Sequence, residues 1–275
     1  MFKRAYKIKH FVSSKISEKN SLRKLRNMDS FGSEIAKAFN STKFNKFSDE
    51  LKPVFSELEE YRKKLLHSDQ KIDFTIFEEG DIKLTKEVCK KAASPEKWCR
   101  LFFFLTYYSK ASGVLEIGTN LGVSGQYYLK ALLLNNTINT NFKTLDGVQD
   151  LCNISEKRFS EINSERNFKV ICGMYSDTLP EIENSDDQYQ IIFIDGNHKF
   201  KSTIEYYTML YNNLADRAII IFDDINWSRE MKKAWSHIKK MRFEYSIDLY
   251  KLGIIVVNKN NTDAKKLNFK LFLSY

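Results

Sequence analysis

The stretch that decides the fold is VLEIGTNLGVSG, residues 114–125. The chain has ten glycines in 275 residues, and four of them lie between Gly113 and Gly125. Gly118 and Gly122 follow a short apolar run and precede a helical pattern. Glycine lets a backbone turn tightly and approach a ligand closely, and the N-terminus of the following helix points at the same place. The stretch therefore predicts a strand, a ligand-binding loop and a helix.

The same alternation continues along the chain. The apolar runs GVLEI, FKTLD, FKVIC, QIIFID and AIIIFDD alternate with helical patterns at about 121–134, 150–164, 176–183, 201–213 and 227–241. Runs that are apolar on both faces, with helices between them, indicate a parallel sheet covered on both sides. FEYSIDLY and LGIIVV are separated by only a short turn, which predicts an antiparallel hairpin. The predicted fold is α/β: a Rossmann-like seven-stranded sheet, mostly parallel, with an antiparallel terminal hairpin and helices on both faces.

The predicted organisation is a basic helical extension over residues 1–80, a main domain over 81–260 and a C-terminal tail over 261–275. The net charge is +9, but residues 1–27 hold nine lysines and arginines and one acid, so the remainder is nearly neutral. A nearly neutral body argues against a nucleic-acid partner. Residues 1–27 fit either a segment that docks on a membrane surface or an acidic partner, or a solvated, partly disordered arm, which we favour.

The chain has no predicted signal peptide and no apolar run long enough to cross a membrane. Its four cysteines are widely spaced and contain no C-x-x-C pair, which argues against a zinc site or a disulfide framework. These observations predict a cytoplasmic protein. The helices before residue 110 are candidates for a homo-oligomer interface or a lid.

Ligands of open α/β sheets bind beyond the carboxyl ends of the strands, so the residues at those ends are the site candidates. After the first run comes E-x-G-x-x-x-G, with Glu116 where a dinucleotide-binding loop would have its first glycine. An acid there suits a ligand with a positive group, such as an ammonium or a sulfonium. Asp146 follows the second run and can accept hydrogen bonds from a ribose diol. Gly173 and Met174 follow the third and can lie against a flat base.

Each of these signals has a purely structural alternative. Glu116 can be a capped turn residue, with the nearby glycines needed only for close packing. Asp146 can be an ordinary turn aspartate in an Asp-Gly pair. The residues around Gly173 can simply precede a capped helix.

The fourth and fifth runs end in DGNH and DDINW. Because neighbouring parallel strands end at the same edge, Asp195, Asp223 and Asp224 are candidates to share a divalent cation, and carboxylates suit Mg²⁺. His198 lies above the same edge and can act as a general base. The alternatives are aspartates that cap the next helices and a histidine with a structural role.

Residues from about 110 to 258 resemble the class I S-adenosylmethionine-dependent methyltransferases. LEIGTNLGVS is similar to the loop that holds the methionine part of the cofactor. FIDGNHKFKSTIEYYTMLYNNL and AIIIFDDINWSREMKKAWSHI are similar to a bacterial branch that carries FIDGNH and DDI-WS--M--AW. The resemblance implies an enzyme that methylates a small-molecule acceptor, most simply on oxygen, with S-adenosylmethionine as cofactor and Mg²⁺ as a candidate second one.

The resemblance also implies roles for individual residues. His198 and Asp195 would be catalytic, and Asp195, Asp223 and Asp224 would hold the metal. The implied cofactor contacts are Glu116, Gly118, Thr119, Asn120, Gly122, Ser124, Asp146, Gly173, Met174 and Asp195.

Two departures leave the acceptor open. The branch more often has glutamate where this chain has Asp146, and FTIFEEGDIKL lacks the glycine-rich stretch expected before the domain. The competing functions are a binding protein that docks through residues 1–27 and an NAD(P)-dependent enzyme, which the loop spacing disfavours.

Overall fold

The computed structural model describes residues 2–135, 140–163, 167–261 and 266–274, without the side chains of residues 2–6 and 9. The chain divides into two compact units, one formed by residues 38–180 and the other by residues 1–37 and 181–275. The predicted boundaries at residues 80 and 260 stay predictions. Residue 164, the end of one predicted helix, lies outside the described residues.

The helices of the described residues are α1 (Phe2–Met28), α2 (Ser30–Phe44), α3 (Leu51–Leu66), α4 (Thr85–Ala92), α5 (Glu96–Tyr108), α6 (Gly125–Asn135), α7 (Gln149–Ile162), α8 (Tyr175–Glu183), α9 (Phe200–Met209) and α10 (Arg229–Ile238). The strands are β1 (Lys71–Asp73), β2 (Ile82–Leu84), β3 (Gly113–Ile117), β4 (Asn141–Asp146), β5 (Phe168–Cys172), β6 (Tyr189–Ile194), β7 (Leu214–Phe222), β8 (Tyr245–Asp248), β9 (Gly253–Asn258) and β10 (Leu267–Lys270).

The unit of residues 38–180 is built on three parallel strands in the order β3-β4-β5. All five residues of β3 are buried, as expected for a strand covered on both faces. Helix α5 adds a run of fully buried aromatic side chains, Phe102–Phe104, to the core of this unit. A separate antiparallel pair, β1 and β2, precedes α4. The strand-and-helix pattern predicted around the glycine-rich stretch is therefore confirmed.

The other unit contains the strand order β10-β8-β9-β7-β6. β6 and β7 are parallel, and β9 is antiparallel to both β7 and β8, as the hairpin prediction requires. The fold class is confirmed: the sheet is mostly parallel, with antiparallel pairing from the terminal hairpin and helices around it. β10, which pairs parallel with β8, was not predicted and lies within the predicted tail. Residues 262–265 and 275 of that tail lie outside the described residues.

The basic N-terminal segment is helical, which confirms the predicted helical extension, but α1 is packed and is not the solvated, partly disordered arm favoured for residues 1–27. One side of α1 is buried, including His10, Ser14 and Leu25. His10 Nε2 lies 3.0 Å from Asp248 Oδ1 on β8, and Nδ1 lies 3.2 Å from Ser14 Oγ. Burial would raise the pKa of Asp248, but hydrogen bonds from His10 and from the Tyr250 backbone hold that pKa below its ordinary value. Within the described ranges, no helix combines the length and apolarity that crossing a membrane requires.

Candidate cofactor site and carboxylate cluster

The glycine loop, residues 118–124, connects β3 to α6 in a conformation that few side chains allow. Gly118, Asn120 and Gly122 all have positive φ, at 101°, 47° and 73°. A Cβ atom on Gly122 would lie 3.0 Å from Ser155 Cβ, so the loop also passes close to α7. The backbone N–H groups of Gly118 and Thr119 donate to the Leu145 carbonyl at the end of β4, at 2.9 and 3.0 Å. The glycines are thus required by both the backbone angles and the close approach.

Glu116 lies beneath the glycine loop and is completely buried. Its Oε1 accepts a hydrogen bond from Ser124 Oγ at 2.5 Å, and its Oε2 accepts one from Thr144 Oγ1 at 2.8 Å. The Thr144 hydroxyl in turn is hydrogen-bonded to the Thr119 hydroxyl. Burial raises the pKa of Glu116 to about 8, although the two hydroxyl groups oppose the shift. The carboxyl therefore ties both ends of the loop to β3 and β4.

Asp146 holds the middle of the same loop from the end of β4. Its Oδ2 accepts from the Asn120 backbone N–H at 2.8 Å, and its Oδ1 accepts from the Val148 N–H at 3.0 Å. Burial raises its pKa, and these backbone hydrogen bonds oppose the rise. Each carboxylate oxygen accepts more than one hydrogen bond, so Asp146 has capacity left for a ligand hydroxyl.

Beside Asp146 the chain presents two apolar side chains around a glycine. Gly173, with φ of 152°, donates its N–H to the Asp146 carbonyl at 3.0 Å. A Cβ on Gly147 would lie 3.5 Å from Phe77 Cζ and 3.7 Å from Met174 Sδ. Phe77 and Met174 are 42% and 41% exposed, so their surfaces are available to a flat ligand. Sequence analysis found Met174 but missed Phe77, because a lone aromatic residue before EEGD carries no pattern.

A cavity of about 710 Å³ lies next to the glycine loop, a size typical of small-molecule sites. Asn120 lines one side. The rest comes from residues around β2 and α4, with Phe74 and Ile82 among the apolar lining and Lys83 and Lys90 among the charged groups. The segment FTIFEEGDIKL therefore contributes to a cavity even though it lacks the glycine-rich stretch expected there.

The other predicted site residues lie in the unit of residues 1–37 and 181–275. Asp195 follows β6, and Asp223 follows β7, whose last residues pair with those of β6. The Asp223 N–H donates to the Ile194 carbonyl at 3.0 Å, which confirms that these strand ends lie together. Burial, together with the negative charge of Asp223, holds the pKa of Asp195 well above its usual range, and Lys251 opposes that rise. Asp195, Asp223, Asp224 and Lys251 are called the carboxylate cluster below.

Lys251 occupies the centre of this cluster. Its Nζ lies 2.6 Å from each carboxylate oxygen of Asp223 and 3.1 Å from Asp224 Oδ1. Two of the three carboxylates that are predicted to share Mg²⁺, Asp223 and Asp224, thus share a lysine ammonium. Across the described ranges, no group of three or more histidine, cysteine, aspartate or glutamate side chains is arranged to hold a metal ion. The residues present therefore do not fit the predicted magnesium site. Sequence analysis missed Lys251 because this residue lies in the turn between β8 and β9 and belongs to no recognisable motif.

His198 lies beside Asp195. Its Nε2 is 3.5 Å from Asp195 Oδ1, and its ring centroid is 5.9 Å from that of Trp227. The His198 side chain is 28% exposed, and Trp227 is 60% exposed. An imidazole that is partly open to solvent and oriented by a carboxyl group can exchange a proton with a bound molecule.

Comparisons with known proteins agree with this fold. Residues 115–225 match the family model described as a methyltransferase domain. An O-methyltransferase from Bacillus cereus in complex with SAH has a TM-score of 0.55 at 17% identity, over 83% of this chain and 100% of that chain. Cofactor-bound Rv0187 from MTB has a TM-score of 0.56 at 13% identity, over 81% and 94%. The O-methyltransferase TomG from Streptomyces achromogenes, in complex with SAM, has a TM-score of 0.52 at 17% identity, over 61% and 82%.

None of the curated proteins matches the sequence significantly. At these identities the solved structures show the fold. The family match shows that residues 115–225 form a methyltransferase domain, which lies within the predicted main domain. The predicted resemblance and the enzyme class, a methyltransferase, are therefore confirmed.

The buried carboxyl of Glu116 predicts a specific pH dependence of stability. Below about pH 4.5 the Glu116 carboxyl is protonated in both the folded and the unfolded chain, so the contribution of the protonated carboxyl to the free energy of unfolding is fully present. Between that value and about pH 8 only the folded chain keeps the proton, so the stabilisation is lost as pH rises, by about 5 kcal/mol at most. Glu116→Gln, which imitates the protonated form, should remove this part of the pH dependence.

Urea unfolding from pH 5 to about 8.5 measures the effect, and the difference between wild type and variant isolates Glu116. Glu79→Gln, at an exposed position of the same unit, is the control and should leave the pH dependence unchanged. Parallel curves for wild type and Glu116→Gln would contradict the assignment.

Proposed function

We propose that the protein is an S-adenosylmethionine-dependent O-methyltransferase that acts on a small molecule. The observation that carries the proposal is the glycine loop held by Asp146 within a methyltransferase domain. Two structural neighbours, an O-methyltransferase from Bacillus cereus with SAH and one from Streptomyces achromogenes with SAM, give it further support. The bacterial branch, the cytoplasmic location and the absence of a nucleic-acid partner remain predictions from the sequence, as does a homo-oligomer.

The cofactor would lie along the glycine loop and across the ends of β4 and β5. Gly118, Thr119, Asn120 and Gly122 would let the backbone approach the methionine portion closely. Asp146 would accept hydrogen bonds from the ribose hydroxyls with the lone pairs that the loop leaves unused.

The adenine ring would lie beside Gly173, with Met174 and Phe77 against its faces. Both side chains expose apolar surface next to Gly147. A thioether and an aromatic ring are suitable partners for a flat heteroaromatic group.

Glu116 and Ser124 would act on the cofactor indirectly. Because Glu116 is fully buried and bonded to Ser124 and Thr144, its role would be to fix the loop and not to touch the ligand. Its charge, which depends on pH near neutrality, would still influence a cationic ligand above the loop.

S-adenosylmethionine supplies a methyl group on a sulfonium, which leaves as a neutral thioether. The protein would contribute orientation of the acceptor and removal of its proton. His198 would accept the proton of the acceptor hydroxyl, and Asp195 would orient the imidazole from 3.5 Å. The proposed step uses no Mg²⁺, since Lys251 is bonded to Asp223 and Asp224, two of the carboxylates that would bind the metal.

A second candidate function is docking on an anionic membrane surface through α1, and one observation favours it. Ile8, Val12 and Ile16, spaced four residues apart on the helix, are 57%, 48% and 79% exposed. Exposed basic residues, Lys15 and Lys19 among them, accompany this stripe. Apolar residues flanked by lysines are typical of helices that lie on anionic lipid.

Isothermal titration calorimetry should detect binding of S-adenosylhomocysteine and S-adenosylmethionine, and no binding of NADH. Asp146→Asn should weaken the binding by about tenfold or more, because it removes a charged acceptor for the ribose hydroxyls. Asp49→Asn, at a side chain that is 87% exposed in the same unit, is the matched control. Binding of NADH but of neither sulfur compound would reject the proposal.

Removing the proposed base should affect turnover and not cofactor binding. In an assay of label transfer from methyl-labelled S-adenosylmethionine to a protein-free cell extract, His198→Ala should lower kcat by about a hundredfold. The affinity for S-adenosylhomocysteine should stay within about twofold, and added imidazole should restore part of the turnover. His67→Ala, at an exposed histidine, should behave as wild type. Equal losses of turnover and affinity would argue against a base.

Membrane docking is tested with vesicles of phosphatidylcholine, with and without phosphatidylserine. Wild type should co-sediment with the anionic vesicles, and Ile16→Asp should lower the bound fraction by about tenfold, because it places a charge in the apolar stripe. Ile76→Asp, at a residue that is 57% exposed outside α1, is the control. Sedimentation that does not depend on Ile16, or no sedimentation of wild type, would exclude docking through this face.

A further inference from the structure

The carboxylate cluster contains its own cation. Lys251 Nζ contacts both oxygens of Asp223 and one oxygen of Asp224 within 3.1 Å. The Asp223 side chain is only 6% exposed, and that of Lys251 is 23% exposed, so the pair is largely shielded from water. Shielded opposite charges interact more strongly than exposed ones, and separating them leaves a buried charge without compensation.

The backbone fixes Lys251 in this position from two sides. The Ile225 N–H donates to the Lys251 carbonyl at 3.0 Å, and Asn226 Nδ2 donates to the Tyr250 carbonyl at 2.8 Å. Both bonds join the loop after β7 to the turn between β8 and β9. Asp224, with φ of 51°, and Tyr250, with φ of 70°, adopt left-handed conformations on the two sides of this junction.

The carboxylates are fixed as well. The Asp224 N–H donates to Asp223 Oδ1 at 2.7 Å, and the Asp223 N–H is bonded to the end of β6. Asp224 and Tyr250, on the two sides of the contact, both have the left-handed conformation, which is rare for residues other than glycine. Its presence at both positions indicates that the surrounding structure strongly favours it. The ammonium group is therefore a built-in part of the cluster and not a mobile surface charge.

We propose that Lys251 is the resident cation of the carboxylate cluster, holding the place between Asp223 and Asp224 that a divalent metal would otherwise occupy. A compact ammonium with three donors can satisfy the carboxylate oxygens that Mg²⁺ would bind. A divalent ion could enter only after the ammonium leaves, because both cations need the same oxygens. The cluster of the wild-type protein consequently already holds one positive charge against its carboxylates.

The proposal deepens the proposed function, since it concerns how an acceptor could be deprotonated in this domain without a metal. Its test does not involve methyl transfer. If the Mn²⁺ titration contradicts the role of Lys251, the calorimetric result for the cofactor still stands. If the cofactor does not bind, the result of the Mn²⁺ titration still stands.

The test is a titration of purified full-length protein with Mn²⁺, in which electron paramagnetic resonance measures the free ion. Wild type should show no saturable site. Lys251→Met, which keeps a long side chain but removes the charge, should bind about one Mn²⁺ saturably, at ion concentrations at least tenfold below those at which wild type binds Mn²⁺ weakly and without saturation, because carboxylates with several waters suffice for such ions. The double variant Lys251→Met with Asp223→Asn should lose the gained site.

Lys259→Met is the matched control, since it removes a lysine of the same unit whose Nζ contacts the main-chain carbonyl of Asn212 at 3.1 Å and, among the residues that the structure describes, no carboxylate. It should bind Mn²⁺ no better than wild type. Circular dichroism checks the fold of each variant, and Lys251→Gln replaces Lys251→Met if the latter does not fold. A saturable Mn²⁺ site in wild type would overturn the proposal, and so would the absence of a site in both wild type and the folded Lys251 variant.

Discussion

The glycine loop depends on one buried interaction, the hydrogen-bonded carboxyl of Glu116. It joins Ser124, at the start of α6, to Thr144 on β4, and Thr144 extends the chain to Thr119 within the loop. A buried polar group is favourable only when its hydrogen bonds are satisfied, and here both oxygens have partners. The left-handed conformations at Gly118, Asn120 and Gly122 persist because this network fixes both ends of the loop.

Glu116 also links the structure of the loop to its chemistry. Because burial raises its pKa to about 8, the carboxyl is largely neutral at physiological pH and carries no full negative charge beneath the loop. A cationic ligand above it would favour the ionised form, since opposite charges lower the pKa of a carboxyl. Ligand binding and proton release at Glu116 are thereby thermodynamically coupled, and each would strengthen the other.

Sequence patterns predicted the sheet because β3 to β7 and β9 each contain a short, mostly apolar run, and helical patterns separate the runs of β3 to β7. They also predicted that the N-terminal extension is helical. They did not predict that α1 is packed, because its buried side includes the polar residues His10 and Ser14, and His10 contacts both Ser14 and Asp248. The four-residue run LNFK of β10 was too short and polar to recognise. Site residues at strand ends could be located from strand order alone, and Asp223 is indeed joined to Ile194 at the end of β6.

Lys251 shows why the chemistry of a cluster is harder to predict than its location. A run of acids at neighbouring strand ends indicates negative charge and implies a cation, but it does not say which one. The cation is Lys251, which follows Asp224 by 27 positions in the sequence and is brought to the carboxylate cluster by the turn between β8 and β9. A metal would be lost to chelators and would leave water molecules in place to exchange protons. A lysine is covalently attached and has a fixed number of hydrogen-bond donors. Proton removal from an acceptor at this edge of the sheet would therefore depend on a neighbouring side chain. His198, which lies beside Asp195, can accept that proton.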